Sequence, residues 1–130
     1  MNNVVAHFKD GRVLKGSSLA VDPNKPSFPL RPKEGKAVDI QFKDLKAVFF
    51  VRSLEGDAHH VDARTIAPGD PRSHGSTKVR LEFEDGETLH GLVNSYPPAK
   101  QFFYLNPLDA HSNNIRILVN RGAVLSITPE

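Results

Sequence analysis

The feature that most constrains the fold of this chain is an internal repeat. Residues 8–16, FKDGRVLKG, match residues 83–91, FEDGETLHG, at an offset of 75 positions (83 − 8). The offset holds without a gap for Val4 and Val79, Phe28 and Phe103, and Pro32 and Pro107. After a shift of one residue, the match extends to residues 47–48 and 123–124. The repeat therefore predicts two similar units of about 50 residues each.

Apolar and polar residues alternate in each unit with the period of a strand that has one buried face. Val79, Leu81 and Phe83, for example, are separated by charged residues. An Asp-Gly pair follows the first strand of each unit, at residues 10–11 and 85–86. Asp-Gly is a strong hairpin signal because both turn positions favour positive φ. Each unit is therefore expected to begin with a β-hairpin.

Gly16 and Gly91 interrupt the second strand of each hairpin, where the lack of a side chain permits a bulge or a sharp bend. Three more short strands follow in each unit. We therefore predict an all-β fold of two tandem five-stranded SH3-like or Sm-like small barrels with pseudo-twofold symmetry. The first barrel is expected over residues 1–52 and the second over residues 78–130. Residues 53–77 form a polar linker without sustained periodicity.

Two aromatic segments break the alternation, residues 47–51 (AVFFV) and 102–105 (FFYL). A small barrel has only one inside, so an outward-facing phenylalanine needs another surface to cover it. We predict that one phenylalanine of each adjacent pair lies inside its own barrel and that the other packs against the second barrel. A homo-oligomer or a groove for a partner are the alternatives.

The composition is that of a folded protein without thiol chemistry. The chain has no cysteine, which excludes disulfides and thiolate sites. Its 17 basic and 15 acidic residues are spread along the chain, whereas nucleic-acid binders usually concentrate their basic residues in a patch. No stretch resembles a signal peptide or approaches the roughly 20 apolar residues of a membrane span. We expect a cytoplasmic protein that does not contact a membrane.

No residue pattern in the chain indicates catalysis. His59 and His60 lie between Asp57 and Asp62, which resembles a metal cluster, but adjacent histidines point to opposite sides of an extended chain. Neither a nucleophile elbow nor a glycine-rich phosphate loop is present. We therefore expect a protein that is not an enzyme, without a cofactor, a metal or catalytic residues.

Two segments resemble the motifs of Sm-like proteins. Residues 79–91, VRLEFEDGETLHG, resemble the first Sm motif, and residues 118–127, LVNRGAVLSI, resemble the second motif with its Arg-Gly pair. Sm-like proteins form oligomeric rings and bind RNA, so the resemblance implies a small barrel and raises RNA binding as an alternative function. The asparagine that reads the RNA base would fall at Ser27 and at Phe102, so it is missing from both units.

A closer resemblance, over nearly the whole chain, is to an uncharacterised bacterial domain family. It rests on three segments, FKDGRVLKG at residues 8–16, LKAVFFVR at residues 45–52, and NPLD at residues 106–109 followed by SNN at residues 112–114. Domains of this kind occur in bacterial signalling proteins. The resemblance therefore implies a regulatory or adaptor role and supplies no catalytic residue.

These observations predict a non-enzymatic protein-interaction or adaptor module in a bacterial regulatory system, with Sm-like RNA binding as the alternative. A protein partner is expected, and a homo-oligomer stays open. The residues expected at the partner-binding surface are Phe49, Phe50, Phe102, Tyr104, Asn113, Asn114 and Arg121. An apolar groove beside Phe49 or Phe102 would favour a protein partner. RNA binding would be favoured if six cations shared one face: Lys9, Arg12, Lys15, Arg80, Arg116 and Arg121.

Overall fold

The predicted all-β class is confirmed by the computed structural model, which describes residues 2–56, 60–63, 65–66 and 69–130. The first unit contains five strands: β1 (Asn2–Phe8), β2 (Val13–Ser18), β3 (Ser27–Leu30), β4 (Val38–Gln41) and β5 (Leu45–Val51). The second unit also contains five: β6 (Thr77–Phe83), β7 (Thr88–Val93), β8 (Phe102–Pro107), β9 (Asn114–Asn120) and β10 (Val124–Pro129). The helical segments are single 3₁₀ turns: Phe42–Asp44, Pro71–Ser73 and Arg121–Ala123. Among the residues described, no helix has the length and apolar character needed to cross a membrane.

Both predicted hairpins form, but only the glycine of each Asp-Gly pair has a positive φ, whereas the sequence predicts a positive φ at both turn positions. Gly11 and Gly86 have φ values of 93° and 94°, a region that favours glycine. The Asp10 carboxylate accepts a hydrogen bond from the Arg12 backbone N–H at 3.0 Å, and Asp85 accepts one from Glu87 at the same distance. Both hairpins are therefore held by local turn chemistry.

The repeat extends to the pairing register, but the two units differ in length by four residues. Phe8 pairs with Leu45 in the first unit, and its equivalent Phe83 pairs with Val124 in the second. The offset for the last strand is therefore 79 (124 − 45), four more than the 75 of the hairpins. The additional residues lie between β8 and β9. The predicted match of residues 47–48 with residues 123–124 is therefore wrong, because sequence similarity alone did not locate the insertion.

The strands do not form the expected pair of closed barrels. Eight strands form one continuous sheet in the order β10-β6-β7-β8-β9-β5-β1-β2, and β3 and β4 form a separate ladder. An isolated bridge between Ser17 and Arg31 joins that ladder to β2. The units meet through β5 of the first and β9 of the second. A twofold axis would place equivalent strands at the junction, so the expected pseudo-twofold symmetry does not describe this contact.

All seven residues of β5 are buried, because one hydrophobic cluster lies on each face of the strand. Phe50 packs in the cluster of its own unit, whereas Phe49 packs in the cluster of the second unit. Phe103 likewise lies in its own cluster, and the half-buried Phe102 packs against the cluster of the first unit. The prediction that one phenylalanine of each pair faces the other unit is therefore confirmed.

A buried lysine on β5 forms ion pairs with the second unit at the contact between the two units. Lys46 on β5 is 7% exposed, forms ion pairs with Asp85 at 2.6 Å and with Glu87, and lies 4.5 Å above the Phe83 ring. Burial by itself lowers the pKa of Lys46, but the hydrogen bonds to Asp85 and Glu87 outweigh burial and raise it above the ordinary value. The Lys46 hydrogen bond in turn lowers the pKa of Asp85. The lysine therefore stays charged at the contact between the units.

Gly16 and Gly91 are required because strands two and three of each unit approach closely. A Cβ on Gly16 would lie 2.3 Å from the Arg31 carbonyl oxygen, and a Cβ on Gly91 would lie 2.7 Å from that of Asn106. Neither position shifts the register of its hairpin. The glycines therefore provide space for the neighbouring backbone, and the bulge expected from the sequence does not occur there.

Candidate functional site

A cleft of about 610 Å³ lies where the two units meet, and we call it the junction cleft. The first unit contributes residues 23–26, from the loop between β2 and β3, and residues 41–43, from the turn that ends β4. The second unit contributes residues 101–102, at the start of β8, and Asn120, at the end of β9. The cleft therefore exists only because β5 and β9 hold the units together.

Three exposed lysines surround the junction cleft: Lys9, Lys25 and Lys43. They come from separate parts of the first unit, a hairpin turn, a loop and a 3₁₀ turn. Among the described residues that line the cleft, none is acidic. Several positive charges that line one cleft produce a combined positive potential there, and this potential attracts an acidic ligand.

The floor of the junction cleft is aromatic and is built from both units. The Phe42 ring lies 5.2 Å from the Phe102 ring in an edge-to-face arrangement and 5.2 Å from the Phe28 ring. Phe42 is 3% exposed and Phe102 is half-buried. The Phe42 ring is therefore enclosed by its neighbours, and the exposed aromatic surface of the floor belongs to the half-buried Phe102.

Carboxamide groups form one wall of the junction cleft and hold its shape. Asn120 is 2% exposed, and its side chain donates a hydrogen bond to the Leu45 carbonyl of the first unit at 2.8 Å. Its amide oxygen accepts hydrogen bonds from the Gln101 side chain at 2.8 Å and from the Gly122 backbone at 2.9 Å. Asn120 thus ties this wall to the first unit, and the exposed Gln101, held by Asn120, lines the cleft.

The aromatic residues predicted at a partner-binding surface lie mostly inside the protein. Phe49 is 6% exposed and Phe50 is 3% exposed. Tyr104 is half-buried, and the Arg116 guanidinium lies 4.6 Å from its ring and 4.6 Å from the Phe50 ring. Of the four predicted aromatic residues, only Phe102 lines the junction cleft.

The polar residues of that prediction make contacts within the chain. The Asn113 side chain accepts a hydrogen bond from the Ser53 backbone N–H at 3.0 Å and donates one to the Ser53 carbonyl at 2.9 Å. Asn114, the first residue of β9, pairs with Val51, the last residue of β5. Arg121 is exposed and donates a hydrogen bond to the Val124 carbonyl at 3.3 Å. Asn113 therefore joins the loop before β9 to Ser53, the first residue after the first unit.

Of the six cations that would indicate RNA binding if they shared one face, only Lys9 lines the junction cleft. Arg12 pairs with Asp10 at 2.7 Å, and Lys15 donates to the Leu54 carbonyl. Sequence reasoning missed the lysines that do gather, Lys25 and Lys43. They lie 18 residues apart in the sequence (43 − 25), so no local pattern relates them.

A second cluster of polar side chains connects the linker to the second unit by hydrogen bonds and ion pairs. The His60 ring lies 2.8 Å from Asp109 and 3.4 Å from Asp62, and Ser112 donates a hydrogen bond to Asp62 at 2.7 Å. The backbone N–H groups of Ala63 and His111, with the His60 ring, lower the pKa of Asp109 to about 2. Asp109 therefore remains a carboxylate and anchors the linker.

One ligand atom from each of His60, Asp62 and Asp109 lies within 4.8 Å of the other two, close enough to hold a metal ion. Each group already has a protein partner, so the cluster is satisfied without an ion. Asp57 and His59, the other members of the histidine cluster in the sequence, lie outside the described residues. The absence of a metal stays a prediction.

Comparison with known proteins places the chain in a family without giving it an activity. No curated protein and no solved structure matches it. The family of unknown function DUF6982 matches residues 1–128, which include both units, the linker and the junction cleft. This confirms the resemblance to an uncharacterised domain family, and the chain belongs to the family of unknown function DUF6982.

Proposed function

We propose that this protein is a non-enzymatic interaction module that binds an acidic segment of a partner protein in the junction cleft. The observation that carries the proposal is the set of three lysines around a floor shared by both units, without an acidic side chain among the described lining residues. A regulatory or adaptor role in the bacterial cytoplasm is part of the same proposal. It rests on the resemblance to domains of signalling proteins.

The chemistry of the cleft suits a short peptide with carboxylates and an apolar side chain. Lys9, Lys25 and Lys43 can each pair with a carboxylate, and the half-buried Phe102 can contact an apolar side chain of the peptide. Exposed ion pairs contribute only about 0–1 kcal/mol each, so the apolar contact must add to the affinity. We expect binding that weakens as salt is added.

Single-stranded RNA is the second candidate ligand, because lysines can also neutralise phosphates. Binding of single strands usually adds stacking of bases on exposed aromatic rings. Phe42 is 3% exposed and its ring is packed against Phe28 and Phe102, so of the two rings only the half-buried Phe102 has exposed surface on which a base can stack. The arrangement therefore favours a peptide over RNA.

We also propose that each unit is a variant of the SH3-like or Sm-like small barrel, with residues 1–52 and 78–130 as the two units. The proposal is supported by the pairing within each unit, where the fifth strand lies beside the first and strands one to four follow in order. Each unit also has its own hydrophobic cluster.

The test compares two double variants of equal charge change. Lys25→Glu with Lys43→Glu alters the junction cleft, and Lys33→Glu with Lys36→Glu alters two exposed lysines between β3 and β4. The probes are a fluorescent peptide of alternating Glu and Leu and a fluorescent oligouridylate. Fluorescence anisotropy measures binding of each probe at about 150 mM salt, where long-range attraction is screened.

We expect the cleft variant to bind the peptide at least about tenfold more weakly, a loss of about 1.4 kcal/mol. The control variant should bind within about twofold of wild type. Equal losses in both variants would show that only net charge matters and would refute the proposal. Tighter binding of the oligouridylate than of the peptide, abolished in the cleft variant, would establish the second candidate instead.

A further inference from the structure

The contact between the two units uses a different surface on each of them. The first unit contributes its fifth strand, β5, and the second contributes its fourth strand, β9. In the described part of the chain, the counterparts of these strands are edges: β4 pairs with β3 alone, and β10 pairs with β6 alone. A head-to-tail contact of this kind leaves one surface of each type free at the two ends of the molecule.

The groove beside β4 corresponds to the surface of the second unit that β5 covers. Val38 on β4 is equivalent to Ile117 on β9, because each pairs with the equivalent leucine of the preceding strand. Val38 is nevertheless 44% exposed, whereas Ile117 is 3% exposed. The open groove has a volume of about 400 Å³, and Phe8 and Val13 also line it. The first unit therefore exposes apolar side chains where its counterpart buries them, in a groove that Arg12, Asp39 and Asp44 also line.

The edge of β10 corresponds to the edge of β5 that docks at the junction. Leu125 follows Val124 as Lys46 follows Leu45, and Leu125 is 64% exposed whereas Lys46 is 7% exposed. Thr128, the equivalent of Phe49, is also exposed. The molecule therefore has a free strand edge at one end and the groove that fits the equivalent strand at the other.

We propose that β10 of one molecule docks along β4 of a second copy of this chain, antiparallel and in the register that β5 and β9 already use. Within the molecule that register pairs Phe49 with Ile117. Between molecules it places Thr128 opposite Val38 of the next copy. The intramolecular junction supplies the geometry for the contact, and the exposed Val13, Val38 and Leu125 supply apolar area to bury.

The contact between copies is weaker than the junction within the chain. Leu125 takes the position of Lys46, so the buried ion pairs with Asp85 and Glu87 have no counterpart. Pro129 has no backbone N–H to donate, and the Ile127 carbonyl must release the Tyr96 hydroxyl, which donates to it at 3.3 Å. The units within a chain also benefit from a high effective concentration that separate molecules lack. Association should therefore depend on protein concentration.

Complementation between two edge variants tests the proposal. Val38→Arg places a large charge in the groove, and Thr128→Arg places one on the docking strand. Both positions are exposed, so both variants should fold, which circular dichroism checks. Sedimentation equilibrium of the wild type from about 10 μM to 1 mM should show an average mass that rises with concentration, as expected for a weak interface.

Each variant alone should remain a monomer, because each lacks one of the two surfaces. An equimolar mixture should form dimers and nothing larger, because one intact groove meets one intact strand. A wild type that stays monomeric throughout, or a Val38→Arg variant that self-associates like the wild type, would overturn the proposal.

Cysteine cross-linking tests the register independently, since the chain has no cysteine of its own. Val38→Cys and Thr128→Cys proteins are mixed under mild oxidation. The mixed 38–128 disulfide dimer should form at least about tenfold faster than either homodimer, because only that pair lies in contact. Equal rates for the three dimers would refute the proposed register.

Discussion

Truncating two adjacent phenylalanines on β5 tests the separation of the hydrophobic clusters. Phe49 and Phe50 are 6% and 3% exposed and lie on opposite faces of one strand. Phe49→Ala removes a ring from the cluster of the second unit, where it also lies 4.5 Å from the His7 ring. Phe50→Ala removes a ring from the cluster of the first unit. The two variants therefore share residue type and strand and differ in the cluster that they damage.

The expected cost is similar for the two variants. Truncation of a fully buried phenylalanine costs about 3–5 kcal/mol, from lost burial and from the cavity that remains. At about 3 °C for each kcal/mol in a chain of this size, the melting temperature should fall by about 10–15 °C. Urea denaturation and thermal unfolding measure both quantities.

Hydrogen exchange distinguishes the two variants, because local opening is easiest where packing has been lost. Phe49→Ala should lower amide protection first in β6, β7 and β8 although the substitution lies in the first unit. Phe50→Ala should lower it first in β1, β2 and β3. A loss confined to the first unit in both variants, or a cost for Phe49→Ala below about 1 kcal/mol, would refute the assignment of Phe49 to the second cluster.

Two further predictions concern the backbone approach and the linker. Gly91→Ala should destabilise the protein by about 1–3 kcal/mol in urea denaturation, because the new Cβ would overlap the Asn106 carbonyl. A Cβ on Gly122 would lie 3.1 Å from the Gln101 side-chain nitrogen and 3.3 Å from the Asn120 side-chain oxygen, so Gly122→Ala should cost less than Gly91→Ala, and equal costs would contradict the reasoning. Because the folded-state pKa of Asp109 lies at about 2, below its ordinary 3.8, its carboxylate stabilises the fold above about pH 4 and less as the pH falls towards 2. The melting temperature of Asp109→Asn should therefore fall less steeply between pH 4 and pH 2 than that of the wild type. The control Asp39→Asn should show the same slope as the wild type. An unchanged slope for Asp109→Asn would contradict the role of its carboxylate.

The hairpin turns, most strands and the opposite orientation of the adjacent phenylalanines could be predicted from the sequence, because local interactions determine them. An Asp-Gly pair specifies a hairpin turn through the φ preference of its glycine, and strict alternation specifies a strand with one buried face. The repeat then identified two equivalent sets of strands. The adjacent phenylalanines at residues 49–50 and 102–103 had to face opposite sides, because successive side chains on a strand do so.

Only the tertiary structure decided how the two units meet. Strand edges pair through backbone hydrogen bonds that every residue except proline can donate, so the sequence does not state that β5 pairs with β9. The same junction turns Phe49 into a core residue of the other unit and brings Phe42 and Phe102 into one floor. It also places Lys25 and Lys43, which lie 18 residues apart in the sequence (43 − 25), beside a cleft that neither unit has alone. These features depend on contacts between residues far apart in the chain, which no local pattern encodes.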